Sequence, residues 1–492
     1  MLKPPMVPRP EQESAIQEVL AHKSHICRGE TGAGKTLIGV EAVLRSRASL
    51  AVVICPLNTF SGWTKTFQRQ SEGRVTPRVL DGKAAGQRAF EALARREPGV
   101  YLVSWEKFRM YDWENMPLDF VILDEVHRQQ NRKAGTHISV MTTKHATYKL
   151  ALSATPWGNH IQGAWATIRW LWYGNDEVVG RNDSFWAWVT KHMTTSRNQY
   201  SGRKVEKERV PGTVWASLPS KSYFPSPYQD RPVIHEVVVP LMPAQRKIYD
   251  RFEQEALVWL DEHPLVGDLP QVMRTRLRQI CLAVPSIRFE WQRVPDKELD
   301  EDFDWNRWEM EERENGWYAY KEVVYFEEDA KSTKADAMLD VISDLYAAGP
   351  VPILIFCHSE KFATMFTKRL QVKGYNALRF VGGMPPEERE WKKENFGTGY
   401  DIMVATIATV GEGTDGLQEV CNIEFWVSLE DNRLLNIQAK GRLSRPGQTK
   451  TVQRFMFLAE NTVEVRQIGK LEADQAQLDE SFTPLTEQET AA

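Results

Sequence analysis

The sequence predicts an α/β protein with two parallel-sheet lobes and a largely helical insertion between them. Two regions of the 492-residue chain alternate short apolar runs with helical patterns, as parallel sheets with helical crossovers do. The first lobe spans residues 1–160 and the second spans 331–472, which leaves 161–330 as the insertion and 473–492 as a polar tail. A chain of this length is too long for a single core and suits two or three domains.

The candidate strands are β-branched or aromatic-rich runs that end at turn or polar residues. In the first region they are "LAVVICP", "GVYLVSW", "DFVILDE" and "YKLALSA". In the second they are "VPILIFC", "YNALRFV", "YDIMVAT", "NIEFWVS" and "VQRFMFL". In the insertion, "PAQRKIYDRFEQEALVWLDE" has the apolar spacing of a helix. Residues 286–330 are rich in Asp, Glu and Trp and show no clear period.

Composition limits the class of protein. The formal net charge is −4, so a nucleic-acid groove would have to be a local basic surface. The five cysteines are scattered without a C-x-x-C pair, which indicates buried reduced thiols and neither a disulfide framework nor a zinc site. The N-terminus has no apolar signal segment, and no apolar run approaches the ~18 residues of a membrane span. We therefore expect a reducing, cytoplasmic compartment and no membrane contact.

"GETGAGKT", residues 29–36, has the spacing of a phosphate-binding loop. The apolar "SHIC" before it is typical of a strand end, and "TLIGVEAVL" after it has helical spacing, so loop N–H groups and a helix N-terminus converge on anionic phosphates. Lys35 would reach the β and γ phosphates, and the Thr36 hydroxyl would ligate Mg²⁺. The predicted ATP contacts here are Gly29, Thr31, Gly32, Gly34, Lys35 and Thr36.

"DFVILDEVH" delivers Asp124 and Glu125 to the carboxyl end of a strand, where α/β sheets bind ligands. Magnesium needs hard oxygen ligands, and Asp124 supplies one. Hydrolysis needs a group that accepts a proton from water or orients it, and Glu125 supplies that. A solvated acidic loop is the alternative for these two residues taken alone. The absence of N-K-x-D argues against a GTPase, and small-molecule kinases rarely carry a second α/β region.

Further segments, in order, resemble the motifs of a Swi/Snf-type ATPase of helicase superfamily 2, a group of double-stranded DNA translocases. In the first lobe they are "LKPPMVPRPEQESAIQEVL", "VVICPLNTFSGWTKTF", "YLVSWEKFR", "LDEVHRQQN" and "LALSATPWGNHIQGAWATIRWL". "LMPAQRKIYDRF" and "RLRQICLAVPSI" resemble two inter-lobe helices that ordinary RNA helicases lack. In the second lobe they are "KSTKADAMLDVI", "ILIFCHSEKFA", "ATIATVGEGTDGLQ" and "QAKGRLSRPGQTK". The resemblance covers roughly residues 2–470 and implies RecA-like lobes.

The resemblance implies further site residues. Gln12 would read adenine, Gly413 and Asp415 would lie near the ribose, and Gln438 would orient the last motif's helix. Arg442 and Arg445, three apart on one helix face, would reach the γ-phosphate as arginine fingers. Ser153 and Thr155 would couple the nucleotide to the DNA side, with a capped turn as the alternative. The DNA contacts would be Asn58, Thr59, Ser104, Lys361 and Thr406, although a structural role is about equally compatible with each.

Some features depart from the family pattern or have two readings. The segment "LALSATP", which resembles the family's motif III, reads S-A-T where the chromatin-remodelling members of the family usually have T-G-T. Asp415 stands where those members usually have asparagine. "GAWATIRWLWYG" and "SFWAWV" favour packing over base stacking, because aromatic residues at mixed helical spacing are usually core. The acidic stretch "DKELDEDFDWNRWEMEERE" favours a solvated protrusion, or an autoinhibitory or partner-binding surface, over a DNA groove.

The function predicted is an ATP hydrolase that moves on double-stranded DNA without sequence preference, in replication, repair or recombination. ATP and Mg²⁺ would be its cofactors, and a monomer in a bacterial or infected-host cytosol would be its working form. Three alternatives stay open. They are a strand-separating helicase of the same superfamily, a nucleotide-gated binding module that hydrolyses ATP slowly, and the motor subunit of a restriction or defence complex.

Overall fold

The computed structural model describes residues 3–80, 84–198, 202–225, 231–260, 263–266, 270–294, 309–411 and 416–482. Its chain divides into two compact units. The first contains residues 1–229, 432–441 and 470–492, and the second contains 230–431 and 442–469. The chain therefore returns to the first unit twice after leaving it, once just before Arg442 and once within its last helix.

The first unit is built on one seven-stranded parallel sheet. The strands of this unit are β1 (Ser24–Gly29), β2 (Leu50–Cys55), β3 (Arg78–Leu80), β4 (Gly99–Ser104), β5 (Phe120–Asp124), β6 (Tyr148–Ser153), β7 (Met193–Asn198), β8 (Gly202–Glu208) and β9 (Lys221–Phe224). All of them belong to the seven-stranded sheet except β7 and β8, which form a separate hairpin. The order in the sheet is β3-β4-β2-β5-β6-β1-β9, and β7 and β8 pair antiparallel. The four strands predicted for the first lobe are β2, β4, β5 and β6, all confirmed.

The helices of this unit cover both faces of the sheet. They are α1 (Pro10–His22), α2 (Lys35–Ser46), α3 (Phe60–Gln70), α4 (Ala84–Ala94), α5 (Trp105–Phe108), α6 (Gly135–Met141), α7 (Ala164–Leu171), α8 (Asp176–Val179), α9 (Phe185–His192) and α10 (Thr213–Ala216). Strand β2 shows why both faces are covered: Val52 and Ile54 belong to one apolar cluster, and Val53 and Cys55 belong to another. Alternate residues of a strand point to opposite faces, so a strand that is apolar throughout requires packing on both sides.

The second unit contains a six-stranded parallel sheet and a set of antiparallel strands. Its strands are β10 (Val233–Val239), β11 (Leu257–Leu260), β12 (His263–Val266), β13 (Ser286–Arg293), β14 (Glu309–Arg313), β15 (Gly316–Tyr325), β16 (Ile353–Cys357), β17 (Ala377–Phe380), β18 (Ile402–Thr406), β19 (Ile423–Trp426) and β20 (Gln453–Ala459). The parallel order is β10-β20-β19-β16-β18-β17. The five strands predicted for the second lobe are β16 to β20, and the two-lobe parallel-sheet class is confirmed.

The remaining helices begin at α11. They are α11 (Pro243–Glu255), α12 (Pro270–Leu282), α13 (Thr333–Tyr346), α14 (Glu360–Val372), α15 (Pro386–Asn395), α16 (Ile407–Gly411), α17 (Leu417–Val420), α18 (Arg433–Lys440) and α19 (Val463–Glu480). Helix α18 lies in the first unit, and α19 starts in the second unit and ends in the first. Within the described residues no helix is both long and apolar enough to cross a membrane. All five cysteines are free and buried, as expected.

The insertion contains more strand than its helical spacing predicts. Strand β9 extends the first sheet and β10 the second, while β7–β8 and β13–β15–β14 form antiparallel sheets. The polar sequences "MTTSRN" and "GRKVEKE" of β7 and β8 carry no apolar alternation, so no period identifies them. The acidic stretch lies largely outside the described residues, and its predicted role stays a prediction.

The first part of the predicted polar tail, residues 473–480, is helical and packed instead of frayed. Residues 473–480 continue helix α19, and the following turn holds Ser481 buried. Leu478 is buried in the first unit's core, and the ring of Phe482 stacks on Trp157 with centroids 5.4 Å apart. These two apolar side chains are spaced by four residues in an otherwise polar segment, which is too short a pattern to predict a packed helix end.

Candidate nucleotide site

The phosphate loop connects β1 to α2 and depends on glycine at two points. Gly32 and Gly34 have φ of 78° and 82°, in the left-handed region where side chains are strained. A Cβ on Gly34 would also come within 2.4 Å of the Gln12 amide nitrogen. The loop ends at the N-terminus of the 12-residue helix α2, so its free N–H groups and the helix dipole favour an anion there.

Lys35 bonds to the loop itself. Its Nζ donates to the carbonyl oxygen of Gly29 at 2.7 Å and to that of Glu30 at 3.3 Å. These contacts hold the ammonium group beside the loop, where a phosphate oxygen would compete with neutral carbonyls for it. An ionised acceptor forms the stronger hydrogen bond, so the geometry favours transfer of Lys35 to a phosphate.

Gln12 is buried against the phosphate loop and is only 3% exposed. Its amide nitrogen donates to the carbonyl of Ala33 at 3.0 Å, and its amide oxygen accepts from the backbone N–H of Arg9 at 2.9 Å. One N–H and one lone pair of the amide remain beyond these two bonds. Gln12 therefore ties α1 to the loop and keeps the capacity for the adenine contact predicted from the sequence.

The two acidic residues follow β5 in different backbone conformations. Asp124 ends the strand, and its Oδ1 accepts from the N–H of Glu125 at 3.1 Å. Glu125 has φ 54° and ψ 54°, a left-handed conformation that costs a non-glycine residue about 1–3 kcal/mol. Because of this conformation, the side chains of the adjacent Asp124 and Glu125 point in different directions. Backbone strain of this kind is common at functional positions, and the catalytic role of Glu125 stays a prediction.

Two indole groups hold Asp124. Trp63 Nε1 donates to its carboxylate at 3.1 Å, and Trp105 Nε1 donates to its backbone carbonyl at 2.9 Å. Both tryptophans are buried. Trp63 lies in the segment "VVICPLNTFSGWTKTF" and Trp105 in "YLVSWEKFR", but the motifs did not predict that either indole would hold Asp124. Trp105 directly follows Ser104, the polar residue that ends β4, and this position at a strand end was the sequence feature that could have identified it as a site residue.

Burial and charge act differently on the two carboxylates. Burial, with the neighbouring charge of Glu125, raises the pKa of Asp124 above its ordinary value. Burial also opposes ionisation of Glu125, but attraction to protonated His127 and to Lys35, with a hydrogen bond from Ser153, lowers its pKa. Burial lowers the pKa of His127 as well, so Lys35 and the Ser153 hydroxyl are the partners that act near neutral pH. A divalent cation at Asp124 would relieve the crowding of negative charge, so this pair fits a metal site.

No cluster of three or more His, Cys, Asp and Glu ligands for a metal occurs among the residues that the structure describes. The residues that the sequence predicts as Mg²⁺ ligands are Thr36 and Asp124. A site with so few protein ligands suits Mg²⁺, which keeps several waters and takes other oxygens from nucleotide phosphates.

The predicted coupling residue Ser153 contacts Glu125 directly. Its hydroxyl donates to Glu125 Oε2 at 3.1 Å and accepts from the N–H of Thr155 at 3.0 Å. His127 Nδ1 lies 3.2 Å from the same hydroxyl and 3.4 Å from Glu125 Oε2. The end of β6 is thereby connected to the predicted catalytic carboxylate, with Thr155 contributing its backbone group.

Helix α18, which carries Gln438, packs within the first unit. Arg433 Nη2 donates to the carbonyl of Gly158 at 2.7 Å. At the end of the helix, a Cβ on Gly441 would lie 2.9 Å from Thr31 Cγ2 of the phosphate loop. Gln438 is half-buried in the middle of this helix. The backbone at Gly441 is thus in close contact with the loop.

The predicted second-unit residues are only partly described. Gly413 and Asp415 lie outside the described residues. The Arg442 guanidinium donates to the carbonyl of Gly411, the last described residue before them. Arg442 is therefore linked to the motif that contains the two undescribed residues. Arg445 is half-buried. Helix α18 ends at Lys440, so both arginines lie in the turns that follow it, and the prediction that they share one helix face is wrong.

The predicted DNA contacts lie at the carboxyl ends of strands, and several have structural bonds. Ser104 is buried and its hydroxyl caps α5 by accepting from Lys107 N at 3.2 Å. The Thr59 hydroxyl donates to Pro56 O at 2.7 Å, while Asn58 is exposed. In the second unit, Lys361 is exposed in the first turn of α14, and the hydroxyls of Thr406 and Thr409 are 2.8 Å apart.

Comparison with protein families agrees with this geometry. Residues 9–162 match the DEAD/DEAH box helicase family, and residues 333–447 match the helicase conserved C-terminal domain. The two matches together cover more than half of the chain. The fold and the nucleotide site define an ATP-binding, ATP-hydrolysing enzyme of helicase superfamily 2, a nucleic-acid motor.

Two relatives indicate which group of helicase superfamily 2 the chain resembles. The chain is 22% identical over 481 residues to "Uncharacterized ATP-dependent helicase YqhH" of Bacillus subtilis (strain 168), covering 94% of this chain and 77% of that protein. It is 22% identical over 472 residues to the human "SWI/SNF-related matrix-associated actin-dependent regulator of chromatin subfamily A member 1", covering 91% of this chain but only 40% of the human protein. These similarities support a Swi/Snf-type ATPase of helicase superfamily 2, the family that the sequence motifs resemble.

A solved structure supports the fold. The helicase domain of Pyrococcus furiosus Hef aligns with a TM-score of 0.51 at 14% identity, covering 94% of this chain and 98% of that chain. At this identity the likeness concerns the fold alone.

Proposed function

We propose that this ATPase translocates on double-stranded DNA without sequence preference, with Mg²⁺ as its metal, in replication, repair or recombination. Similarity to Swi/Snf-related proteins, and the motifs that resemble that family, support the choice of duplex DNA. The observation that carries the proposal is the helical pair α11 and α12, whose sequences resemble inter-lobe helices of the translocase branch. In this chain the pair is attached firmly to the second unit.

Gln245 connects three helices of that unit. It is completely buried in α11, and its amide nitrogen donates to the carbonyl of Ile280 in α12 at 2.9 Å. Its amide oxygen accepts from the N–H of Thr333 at the start of α13 at 3.0 Å. A buried amide satisfied on both sides fixes orientation, because breaking either bond leaves an unsatisfied polar group. Helices α11, α12 and α13 are therefore expected to move as one body.

Arg278 links α12 to the chain just before α18. Its guanidinium is 4% exposed, donates to Asp431 Oδ2 at 3.0 Å, and also donates to the carbonyl of Leu429. Gln467 of α19 donates to the other oxygen of Asp431 at 2.9 Å. Asp431 thus joins α12 and α19 immediately before the helix of the last motif. This arrangement supports transmission of nucleotide state to the inter-lobe helices.

The proposed roles at the nucleotide follow from charge and position. Lys35 neutralises the β and γ phosphates, Thr36 and Asp124 hold Mg²⁺, and Glu125 activates the attacking water. Mg²⁺ supplies charge neutralisation on the phosphate oxygens when bound.

Arg442 and Arg445 stabilise the charge that spreads over the transferred phosphoryl group. Support for this assignment is the place of both arginines in "QAKGRLSRPGQTK", which resembles the family's last motif. Gln438 lies on α18, which ends just before these arginines, and orients that helix toward the nucleotide.

DNA contact is proposed at strand ends of both units. Asn58 and Lys361 are exposed and free to reach phosphate oxygens, whereas Thr59, Ser104 and Thr406 shape the turns that carry such contacts. Binding through phosphates predicts affinity that does not depend on base sequence and falls with salt.

We expect Trp63→Phe to raise the Mg²⁺ concentration that half-saturates ATP hydrolysis by roughly 10- to 100-fold. The change removes one buried hydrogen bond to the Asp124 carboxylate, and such a bond to a charged group contributes about 1.5–3 kcal/mol. The measurement is a Mg²⁺ titration of steady-state hydrolysis at fixed ATP. Trp391→Phe, at a tryptophan that is 49% exposed, is the matched control. A lower Tm with unchanged Mg²⁺ dependence would limit Trp63 to packing.

We expect duplex DNA to stimulate ATP hydrolysis more than single-stranded DNA or RNA of equal length, because a translocase grips the paired backbone. The protein should also displace the third strand of a triplex without unwinding a plain tailed duplex. Both assays use the purified full chain and ATP.

Efficient separation of the tailed duplex, with stimulation mainly by single strands, would instead establish the strand-separating helicase. The S-A-T form of motif III keeps that candidate open. Stimulation by RNA alone would exclude both readings.

A further inference from the structure

A concave pocket of about 740 Å³ lies within the first unit, built from segments distant in the chain. Residues 130–133 follow the acidic motif, residues 159–163 follow the Ser153 motif, and 203–206 belong to β8. Phe185 and Trp186 of α9 and the end of α19 complete the lining. The volume falls in the range of about 300–1,000 Å³ typical of ligand sites.

The pocket presents an exposed tryptophan. Trp186 is 40% exposed, whereas Trp188, two residues along the same helix, is 1% exposed and packs in the core. The prediction that the tryptophans of "SFWAWV" pack therefore holds for Trp188 but not for Trp186. The guanidinium of Arg203 lies 5.0 Å from the centre of the Trp186 ring. The Phe185 ring packs edge-on against the Trp186 ring, with the two ring centres 5.1 Å apart. Trp186 is thus held in place at a surface open to a ligand.

The lining carries an excess of positive charge. Its cations are Arg132, Lys133, Arg203 and Lys204, and its carboxylates are Glu206 and Asp474. Glu206 already accepts from the Ser196 hydroxyl at 2.5 Å and pairs with Lys204 at 3.3 Å. Arg132 instead lies over the Phe185 ring at 4.1 Å. The pocket therefore favours an anionic ligand that also has a flat aromatic part.

We propose that this pocket binds an unpaired segment of DNA, with a base stacked at Trp186 and phosphates at Arg132, Lys133 and Arg203. The proposal rests on the proposed function in that it adds a single-strand site to a duplex motor. Such a motor would recognise junctions where a duplex meets a single strand.

Single-stranded DNA fits these features better than a duplex does. Duplex bases are stacked on one another and offer no free face to a side chain, and duplex phosphates require neither a cavity nor an exposed indole. Stacking of an unpaired base on an aromatic side chain contributes about 1–3 kcal/mol and tolerates any sequence. Cations beside the ring add phosphate binding that depends on salt.

The pocket is also connected to the catalytic motifs. The backbone N–H of Asn159 donates to the Gln130 side-chain oxygen at 3.1 Å, which joins the two loops that line the pocket. Gly158 has φ 69°, and a Cβ there would lie 1.7 Å from the same oxygen. The two loops continue from Glu125 and from Ser153. A strand in the pocket would therefore contact the segments that follow both motifs.

The test is fluorescence anisotropy of a labelled short oligothymidylate and of a blunt duplex with the full-length chain, in the absence of ATP. We expect Trp186→Ala to weaken oligothymidylate binding by roughly 10-fold or more and to change duplex binding by less than about 2-fold. Trp186→Phe should retain most of the affinity. The double variant Arg132→Ala, Lys133→Ala should lower the salt slope for the single strand by about 1.4.

Trp391→Ala, at an exposed tryptophan outside the pocket, is the matched control and should bind as the wild type does. Equal losses for single strand and duplex in Trp186→Ala would overturn the proposal and make the pocket a duplex contact. Unchanged single-strand binding in both Trp186→Ala and the double variant would overturn it too and leave an acidic protein as the occupant to test. Duplex-stimulated hydrolysis is measured separately, so failure of the pocket and failure of the motor are distinguishable.

Discussion

Lys35→Ala is expected to abolish measurable ATP hydrolysis, with a loss of at least about 10²–10³-fold. The ammonium of Lys35 lies at the phosphate loop, bonded only to neutral carbonyl oxygens in the contacts seen to Gly29 and Glu30. It is the loop's own cation for the charge that develops on the phosphates, and removal of one such stabilising donor has a cost of this size. The measurement is steady-state hydrolysis with and without duplex DNA.

Lys373→Ala is the matched control, because Lys373 is an exposed lysine just after α14 in the second unit. It should hydrolyse ATP at the wild-type rate. Substantial hydrolysis by Lys35→Ala, with a normal Tm, would mean that another cation opposes the triphosphate.

Glu125→Gln is expected to bind ATP and hold it, with hydrolysis slowed by roughly 10²–10⁴-fold. The amide cannot accept a proton from water but still accepts the Ser153 hydroxyl bond that is 3.1 Å long in the wild type. Lys35 and the Ser153 hydroxyl help to lower the pKa of the Glu125 carboxyl group, which favours the carboxylate form that the proposed role requires. Single-turnover hydrolysis and retention of labelled ATP on a filter measure the two effects.

Glu91→Gln, at an exposed position of α4, is the control for loss of one surface charge. If Glu125→Gln turned over ATP at the wild-type rate, a different group would have to activate the water. If it failed to bind ATP, Glu125 would belong to the binding site and not to the chemical step.

The sequence predicted the strands at which the site lies. The runs that became β2, β4, β5 and β6 are mainly apolar, although β6 contains Lys149, and a short apolar run bounded by polar residues is typical of a strand buried on both faces. The phosphate loop was predictable for a similar reason, since its glycines and lysine act through spacing within a few residues. The antiparallel hairpin β7–β8 was not, because its polar residues have no period to read.

The supporting residues of the site were less predictable. Trp105 donates to the backbone of Asp124 from 19 residues away, and Trp63 donates to its carboxylate from 61 residues away. Nothing in the local pattern distinguishes these tryptophans from Trp113 or Trp170, which are equally buried. The charge states of Asp124 and Glu125 likewise depend on neighbours that the order of residues does not supply.

The sequence by itself determined the ATPase motor: the loop at residues 29–36, the acidic pair after β5 and the order of the motifs are local patterns whose chemistry follows from residue type and spacing. Only the tertiary structure decided that Gly441 packs on Thr31, that Ser153 bonds to Glu125, and that Trp186 opens onto a basic pocket. The physical reason is that these contacts join segments far apart in the chain. Their formation depends on how whole helices and strands pack, and no short-range period of the sequence records that packing.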